Sequence, residues 1–294
     1  MKRIGFVVLI LAIILSGFAL FRNKQSPPDN DGKISVVASF YPLYFFASSV
    51  GGQYVRVSNI TPAGAEPHDY EPSAQDIVAI EKADVLILNG AGLEPWARKL
   101  QSNLAGRNRP LILTVNKEDA DPHSWLDPVL AKTIVQRIAA AFVEVDPAGQ
   151  SIYVAHAAAL YEQLDQLDLE YRTGLSDCAM RDIVTSHDAF GYVAARYGFN
   201  QISIAGISPD EEPSARKLAQ IADLVKKKNI KYIFFESLIS PRLSQTLATE
   251  TGAGTLVLDP IEGLSADDMA AGKDYFTQMR MNLQNLKLAL QCRN

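Results

Sequence analysis

A chain of 294 residues with 48% hydrophobic content is long enough to build two ordinary domains, each with its own core, and is not a disordered protein. Its formal charge of −5 comes without a basic stripe able to neutralise phosphates, which excludes nucleic acid as a partner.

The elements are taken from the amino terminus. Lys2 and Arg3 precede an apolar run from Ile4 to Phe21, followed by Arg22, Lys24 and the polar spacer Ser26-Pro27-Pro28-Asp29-Asn30-Asp31-Gly32. Residues 1–32 therefore read as an export signal or membrane anchor with its spacer, and the body as extracytoplasmic, in the periplasm or on the outer face of the cytoplasmic membrane. The run is near the minimum for a membrane span, and Gly17-Phe18-Ala19 offers a small-x-small cleavage site. Leu15-Ser16-Gly17 resembles the start of a lipoprotein signal, but Phe18 stands where the lipidated cysteine would be.

From 33 to 145 strands and helices alternate. Ile34 to Ala38 is an apolar strand, Pro42 opens a helix reaching Val50, and a second strand from Tyr54 to Ile60 enters the loop Thr61 to Pro72. Ser73 caps the next helix, with Asp76 three residues on. Val85 to Leu88 is a buried strand ending in Asn89-Gly90-Ala91-Gly92, and Pro95 starts another helix. Leu111 to Val115 is the next strand, and Asp127-Pro128 opens a helix to about Glu144.

Asp146 to Gly174 has no strand pattern and no Pro after Pro147, with Asp146 as cap and Pro147 as first helical residue. Ile152, Leu160, Leu164, Leu167 and Tyr171 recur at helical spacings, which predicts one connecting helix roughly 40 Å long. From 175 to 294 the alternation resumes. Strands are expected at Asp182–Thr185, Gln201–Ile204, Tyr232–Phe235 and Thr255–Leu258, and helices after His187, Ser214 and Pro241 and from Asp267 to Leu290. The predicted fold class is α/β: two lobes with parallel sheets flanked by helices, joined by one long rigid connecting helix.

Cys178 and Cys292 both lie beyond that helix. In an exported chain they are expected to form one disulfide tying the carboxyl-terminal end to the start of the second lobe, the alternative being two buried thiols. Of four histidines, His68, His123 and His187 each fall at or after the carboxyl end of a predicted strand, as does Asp259. Ligands bind at that edge of open α/β sheets, so these four groups are expected to converge in a cleft between the lobes. Glu236 also ends a strand and is taken as a decoy, while His156, inside the connecting helix, is taken as structural. Three neutral imidazoles and a carboxylate suit tetrahedral Zn2+ and, less tightly, Mn2+. Four protein ligands leave no position for the water a hydrolase needs, and there is no His-Glu-x-x-His helix or nucleophile elbow, although Glu66 or Glu236 could be put forward as a general base.

Several segments carry a family resemblance: Glu66-Pro67-His68-Asp69-Tyr70-Glu71-Pro72, Asp121-Pro122-His123-Ser124-Trp125-Leu126-Asp127-Pro128, Thr185-Ser186-His187-Asp188-Ala189-Phe190-Gly191-Tyr192 and Leu258-Asp259-Pro260-Ile261-Glu262-Gly263-Leu264, with Ala205 to Pro209 and Phe234 to Ser237. In this order, from about Ile34 to Leu290, the chain resembles the zinc/manganese class of ABC-transporter solute-binding proteins. The resemblance implies a non-enzymatic receptor that carries one metal ion between its lobes, held by His68, His123, His187 and Asp259, and hands it to a membrane permease driven by an ATPase. His187 favours zinc, because manganese-type members resembling this pattern tend to place Glu there. The segment from Asn116 to Ala120 is short and lacks the His-rich insertion of many zinc-type members, so manganese stays as second cargo. A monomer is expected, and a surface adhesin is the alternative role.

Overall fold

The computed structural model describes residues 32–104, 110–117 and 121–293. The predicted export signal or anchor lies outside the described residues, apart from Gly32. Ile34–Asn294 forms one compact unit, and no helix among the described residues is long and apolar enough to cross a membrane.

Two four-stranded, wholly parallel sheets carry the fold. The first joins β1 (Ile34–Ala38), β2 (Val55–Asn59), β3 (Val85–Leu88) and β4 (Leu111–Thr114) in the order β2-β1-β3-β4. The second joins β5 (Asp182–Thr185), β6 (Asn200–Ser203), β7 (Tyr232–Phe235) and β8 (Gly254–Val257) in the order β6-β5-β7-β8. The halves thus repeat one topology. Each sheet reverses direction of winding beside its first strand, and the loops there open at the carboxyl edge where a ligand can enter. Every residue of β3 is buried, as a central strand covered on both faces requires, whereas edge strand β4 is half-buried throughout.

Helices α1 (Tyr41–Gly51), α2 (Ala74–Lys82), α3 (Ala97–Asn103) and α4 (Pro128–Val145) flank the first sheet. α2 begins with the predicted capping box, in which Ser73 and Asp76 satisfy each other's backbone N–H. Asp127 caps α4, its carboxylate accepting from the N–H groups of Val129 and Leu130. The connecting helix α5 spans Gln150–Gly174. Its start differs from the prediction: Pro147–Gly149 forms a 3-10 turn, and the Asp146 carboxylate accepts instead from the Tyr153 hydroxyl at 2.8 Å. The buried stripe runs through Tyr153, Ala157, Leu160, Leu164, Leu167 and Tyr171, spaced by four and three residues along one helix face.

In the second half α6 (Gly191–Tyr197), α7 (Ala215–Lys228), α8 (Arg242–Thr251), α9 (Ala266–Ala270) and α10 (Tyr275–Ala289) follow. One helix was expected from Asp267 to Leu290, but Gly272 adopts φ 73°, which breaks it, and Asp274 caps α10 afresh. α10 packs along α5, where the Tyr171 hydroxyl donates to the Met279 carbonyl at 2.6 Å. The sulfurs of Cys178 and Cys292 are bonded, fastening the end of the chain to the segment that follows α5. His156 donates no chemistry to a cleft: its Nδ1 lies 2.9 Å from the Val50 carbonyl.

The α5 stripe sits in the largest hydrophobic cluster, which also holds residues of both sheets. Leu164→Ala is expected to cost about 2–5 kcal/mol of stability in urea unfolding, since Leu164 is fully buried. Leu169→Ala, on the same helix but 55% exposed, should stay within about 0.5 kcal/mol.

Candidate metal centre

Three loops at the carboxyl edge of the first and second sheets bring three imidazoles together. His68 comes from the long loop after β2, His123 from the turn after β4, and His187 from the loop that directly follows β5. His123 and His187 are completely buried and His68 nearly so. The ring centroids are 5.6 Å apart for His68 and His123, 6.1 Å for His68 and His187, and 5.1 Å for His123 and His187.

The carboxylate that meets them belongs to Glu262, not to Asp259. Glu262 Oε1 lies 3.3 Å from His68 Nε2, 3.3 Å from His123 Nε2 and 3.6 Å from His187 Nε2. The four ligand atoms all fall within 4.8 Å of one another. Asp259, three residues earlier, spends its Oδ1 on the Ile261 N–H at 2.7 Å and stands outside this cluster. Burial, opposed by hydrogen bonds from Ser237 and Ile261, leaves its carboxyl pushed up to about 6.

The outer nitrogens explain the inner ones. His123 Nδ1 lies 2.7 Å from Asp121 Oδ1, and His187 Nδ1 lies 2.7 Å from Glu236 Oε1. A carboxylate accepting from each Nδ1 places the proton of the singly protonated ring there and turns Nε2 inward, where its lone pair can meet a metal. Those two Nε2 atoms are 3.2 Å apart. Two lone pairs facing each other at this distance repel, and either a proton shared between the rings or a metal cation relieves that repulsion. Glu236 is therefore not the decoy that its position at the end of β7 suggested; it orients a ring.

Electrostatics point the same way. Burial works against the charge on Glu262, yet the three imidazoles outweigh it and hold the carboxyl well below its usual range. Burial likewise lowers His187 and His123, but Glu236 beside the one, Asp121 beside the other and Glu262 between them leave both above the ordinary imidazole range. Glu66 is pushed up to about 9 by burial and then by the Glu262 charge, so it stays a neutral acid near the site. Both Glu262 oxygens and His68 Nε2 are buried without a hydrogen-bond partner of good geometry. Unpaired buried polar atoms aimed at one point are costly unless an ion satisfies them.

The loops are braced against one another. Asn89 and Asn116 both donate to the Pro122 carbonyl at 3.1 Å, fixing the turn before His123. Trp125, two residues after His123, donates Nε1–H to the Pro260 carbonyl at 2.7 Å and accepts at its own carbonyl from the Tyr275 hydroxyl at 2.6 Å. The loop of His123 and the loop of Glu262 are thus one hydrogen-bonded unit. Tyr192 on α6 donates to the Asp121 carbonyl at 3.2 Å, and Arg196 pairs with the Asp127 carboxylate, so the helix after His187 docks on the opposite half.

The family described as zinc-uptake complex component A, periplasmic, matches residues 36–289. The chain belongs to this family. Among members of the zinc-uptake component A family and their kin, the chain is 37% identical to "Zinc-binding protein AdcA" of Streptococcus pyogenes serotype M3 (strain ATCC BAA-595 / MGAS315), over 96% of this chain and 61% of that protein. The chain therefore spans about three fifths of the length of that relative. It is 33% identical to "High-affinity zinc uptake system protein ZnuA" of Bacillus subtilis (strain 168), over 97% of this chain and 96% of that one. The solved structure of the Zn(II)-bound ZnuA-like domain of Streptococcus pneumoniae AdcA superimposes with a TM-score of 0.79 at 38% identity, covering 88% of this chain and 99% of that domain.

Proposed function

We propose that this chain is the extracytoplasmic receptor of a zinc importer: it holds one Zn2+ on His68, His123, His187 and Glu262 and passes it to an ABC permease and its ATPase. The observation that carries the reading is the set of distances among the four inward atoms. A tetrahedral zinc with ligands at about 2.0–2.1 Å has edges of roughly 3.3–3.4 Å. Four of the six edges here are 3.2, 3.3, 3.3 and 3.6 Å, and all six lie within 4.8 Å. The membership in the zinc-uptake family and the zinc-binding relatives support the same cargo.

Three imidazoles against one carboxylate favour zinc over manganese, a harder ion that prefers oxygen ligands and six-coordination. Chelator-competition titration of the metal-stripped unit Ile34–Asn294 should give one tight Zn2+ per chain and Mn2+ weaker by roughly a hundredfold or more, in line with the order of divalent affinities. Equal affinities would refute the zinc assignment, and the absence of saturable binding would refute the site. Four protein ligands close the coordination shell, which suits carriage and not hydrolysis, because a catalytic zinc keeps a position for water. A growth defect on deleting the gene that added zinc rescues would support import; an attachment defect that zinc does not rescue would support adhesion.

A further inference from the structure

We propose that Asp259 is a positioning residue that works through Glu262: it fixes the backbone turn at Ile261 and so delivers the Glu262 carboxylate to the three histidines, without touching the metal itself. This rests on reading Glu262 as the fourth ligand. The sheet leaves Glu262 no simple route inward. β8 ends at Val257, Leu258 still donates to the Phe235 carbonyl, and only four residues separate the strand from Glu262.

Within those residues Ile261 adopts φ 58°. A β-branched side chain avoids that region, because its Cβ crowds the backbone there. Such a conformation persists only where the surroundings over-determine it. Here they do so from three sides. The Asp259 Oδ1 takes the Ile261 N–H, the side chain of one residue capping the backbone two positions on. The Pro260 carbonyl between them is held by Trp125 Nε1, and the Ile261 side chain is fully buried in the main core. Asp259 cannot swing to follow a relaxing loop, because Asn282 of α10 grips its backbone twice, accepting from its N–H at 2.9 Å and donating to its carbonyl at 2.6 Å.

If Ile261 returned to negative φ, the peptide leading to Glu262 would turn by roughly 120°. The carboxylate would leave the three Nε2 atoms. Asp259 is the polar group placed to prevent this, and its burial at 4% exposure belongs to that task.

The test is a double-mutant cycle on the full chain, with Zn2+ affinity read by chelator competition and Co2+ substitution read by its visible absorption. Asp259→Ala is expected to weaken Zn2+ by about 10- to 100-fold, the range found for groups that orient metal ligands. Asp259→Asn, whose amide oxygen can accept the same Ile261 N–H, should stay within about threefold of the parent. Adding Asp259→Ala to Glu262→Ala should change the affinity by less than about twofold, since groups acting in series are not additive. The Co2+ spectrum of Asp259→Ala should match that of Glu262→Ala. Additive losses, or an Asp259→Asn as damaged as Asp259→Ala, would overturn the inference, because Asp259 would then act by its own charge or ligation. If Asp259→Ala does not fold, Asp259→Ser replaces it in the cycle. Its shorter hydroxyl caps more weakly, so a loss that vanishes in the Glu262→Ala background supports the proposal, and no loss overturns it. A Glu262→Ala that binds zinc like the parent would instead sink the ligand reading. A weakened Glu262→Ala beside an unaffected Asp259→Ala would sink only the positioning role.

Discussion

Replacing His187 by alanine is expected to lower zinc affinity by roughly 100- to 1,000-fold. Four-ligand zinc sites bind with about 10–16 kcal/mol in all, so one ligand accounts for about 2.5–4 kcal/mol, and each 1.4 kcal/mol is tenfold. His187 sits where this loss is hardest to repair. Its ring is fully buried, it separates the Glu236 and Glu262 carboxylates, and its removal leaves both buried carboxylates without the imidazole they share. Glu236→Gln keeps the ring and removes only the acceptor charge behind it. That change should weaken zinc by a smaller factor, about 10- to 100-fold. His156→Ala should leave the affinity unchanged, because that imidazole is bonded to the Val50 carbonyl away from the cluster. Isothermal or chelator-competition titration of the three variants ranks them. An affinity for His187→Ala within threefold of the parent would remove His187 from the ligand set.

The parts of the fold legible in the sequence were those written in local chemistry. The Ser73–Asp76 capping box, the Asp127-Pro128 helix start and the three lysines ending α7 are short-range signals, and each marks an observed helix boundary. The histidines were legible because each lies in a loop that leaves the carboxyl end of a strand, and parallel strands send all those ends to one edge. Glu262 was hidden for the opposite reason. It is reached through a residue at positive φ, and the sequence offers Ile there in place of the Gly or Asn that would announce such a turn. Asp259 stands at the strand end and so drew the assignment, although its carboxylate serves the backbone. The Glu-Gly pair at Glu262-Gly263 was the available hint, a carboxylate beside a residue that tolerates close approach.

Glu236 shows a second limit. Position alone could not separate a carboxylate that orients a ligand from one placed there by chance. The missing signal is a rule about pairs: a neutral metal-binding imidazole needs a partner for its other nitrogen. Two of the three histidines obey it here through Asp121 and Glu236. The second of these partners lies 49 residues further along the chain, so only the folded structure reveals the pair.

The same pairs predict a steep dependence of zinc affinity on acidity. Without metal, Glu236 and Glu262 outweigh burial to raise His187 well above the ordinary imidazole range, and Asp121 and Glu262 raise His123. Zinc needs both Nε2 atoms unprotonated, so binding below these raised values must displace protons. Each proton displaced costs tenfold in affinity per pH unit, hence a slope of log affinity against pH between one and two as the pH falls through neutrality toward 5. Glu262, held well below the usual carboxyl range, remains charged over that window and adds nothing to the slope. Affinity should therefore rise with pH to a plateau that is reached only above the ordinary imidazole range. Glu236→Gln removes the first cause that raises His187, so its curve should begin to fall at lower pH even though its plateau is weaker. Titrations across pH 5 to 8, with a chelator whose own protonation is corrected for, would test both statements. A slope under about one half, or a Glu236→Gln curve parallel to the parent, would mean that protons do not compete with zinc at His187.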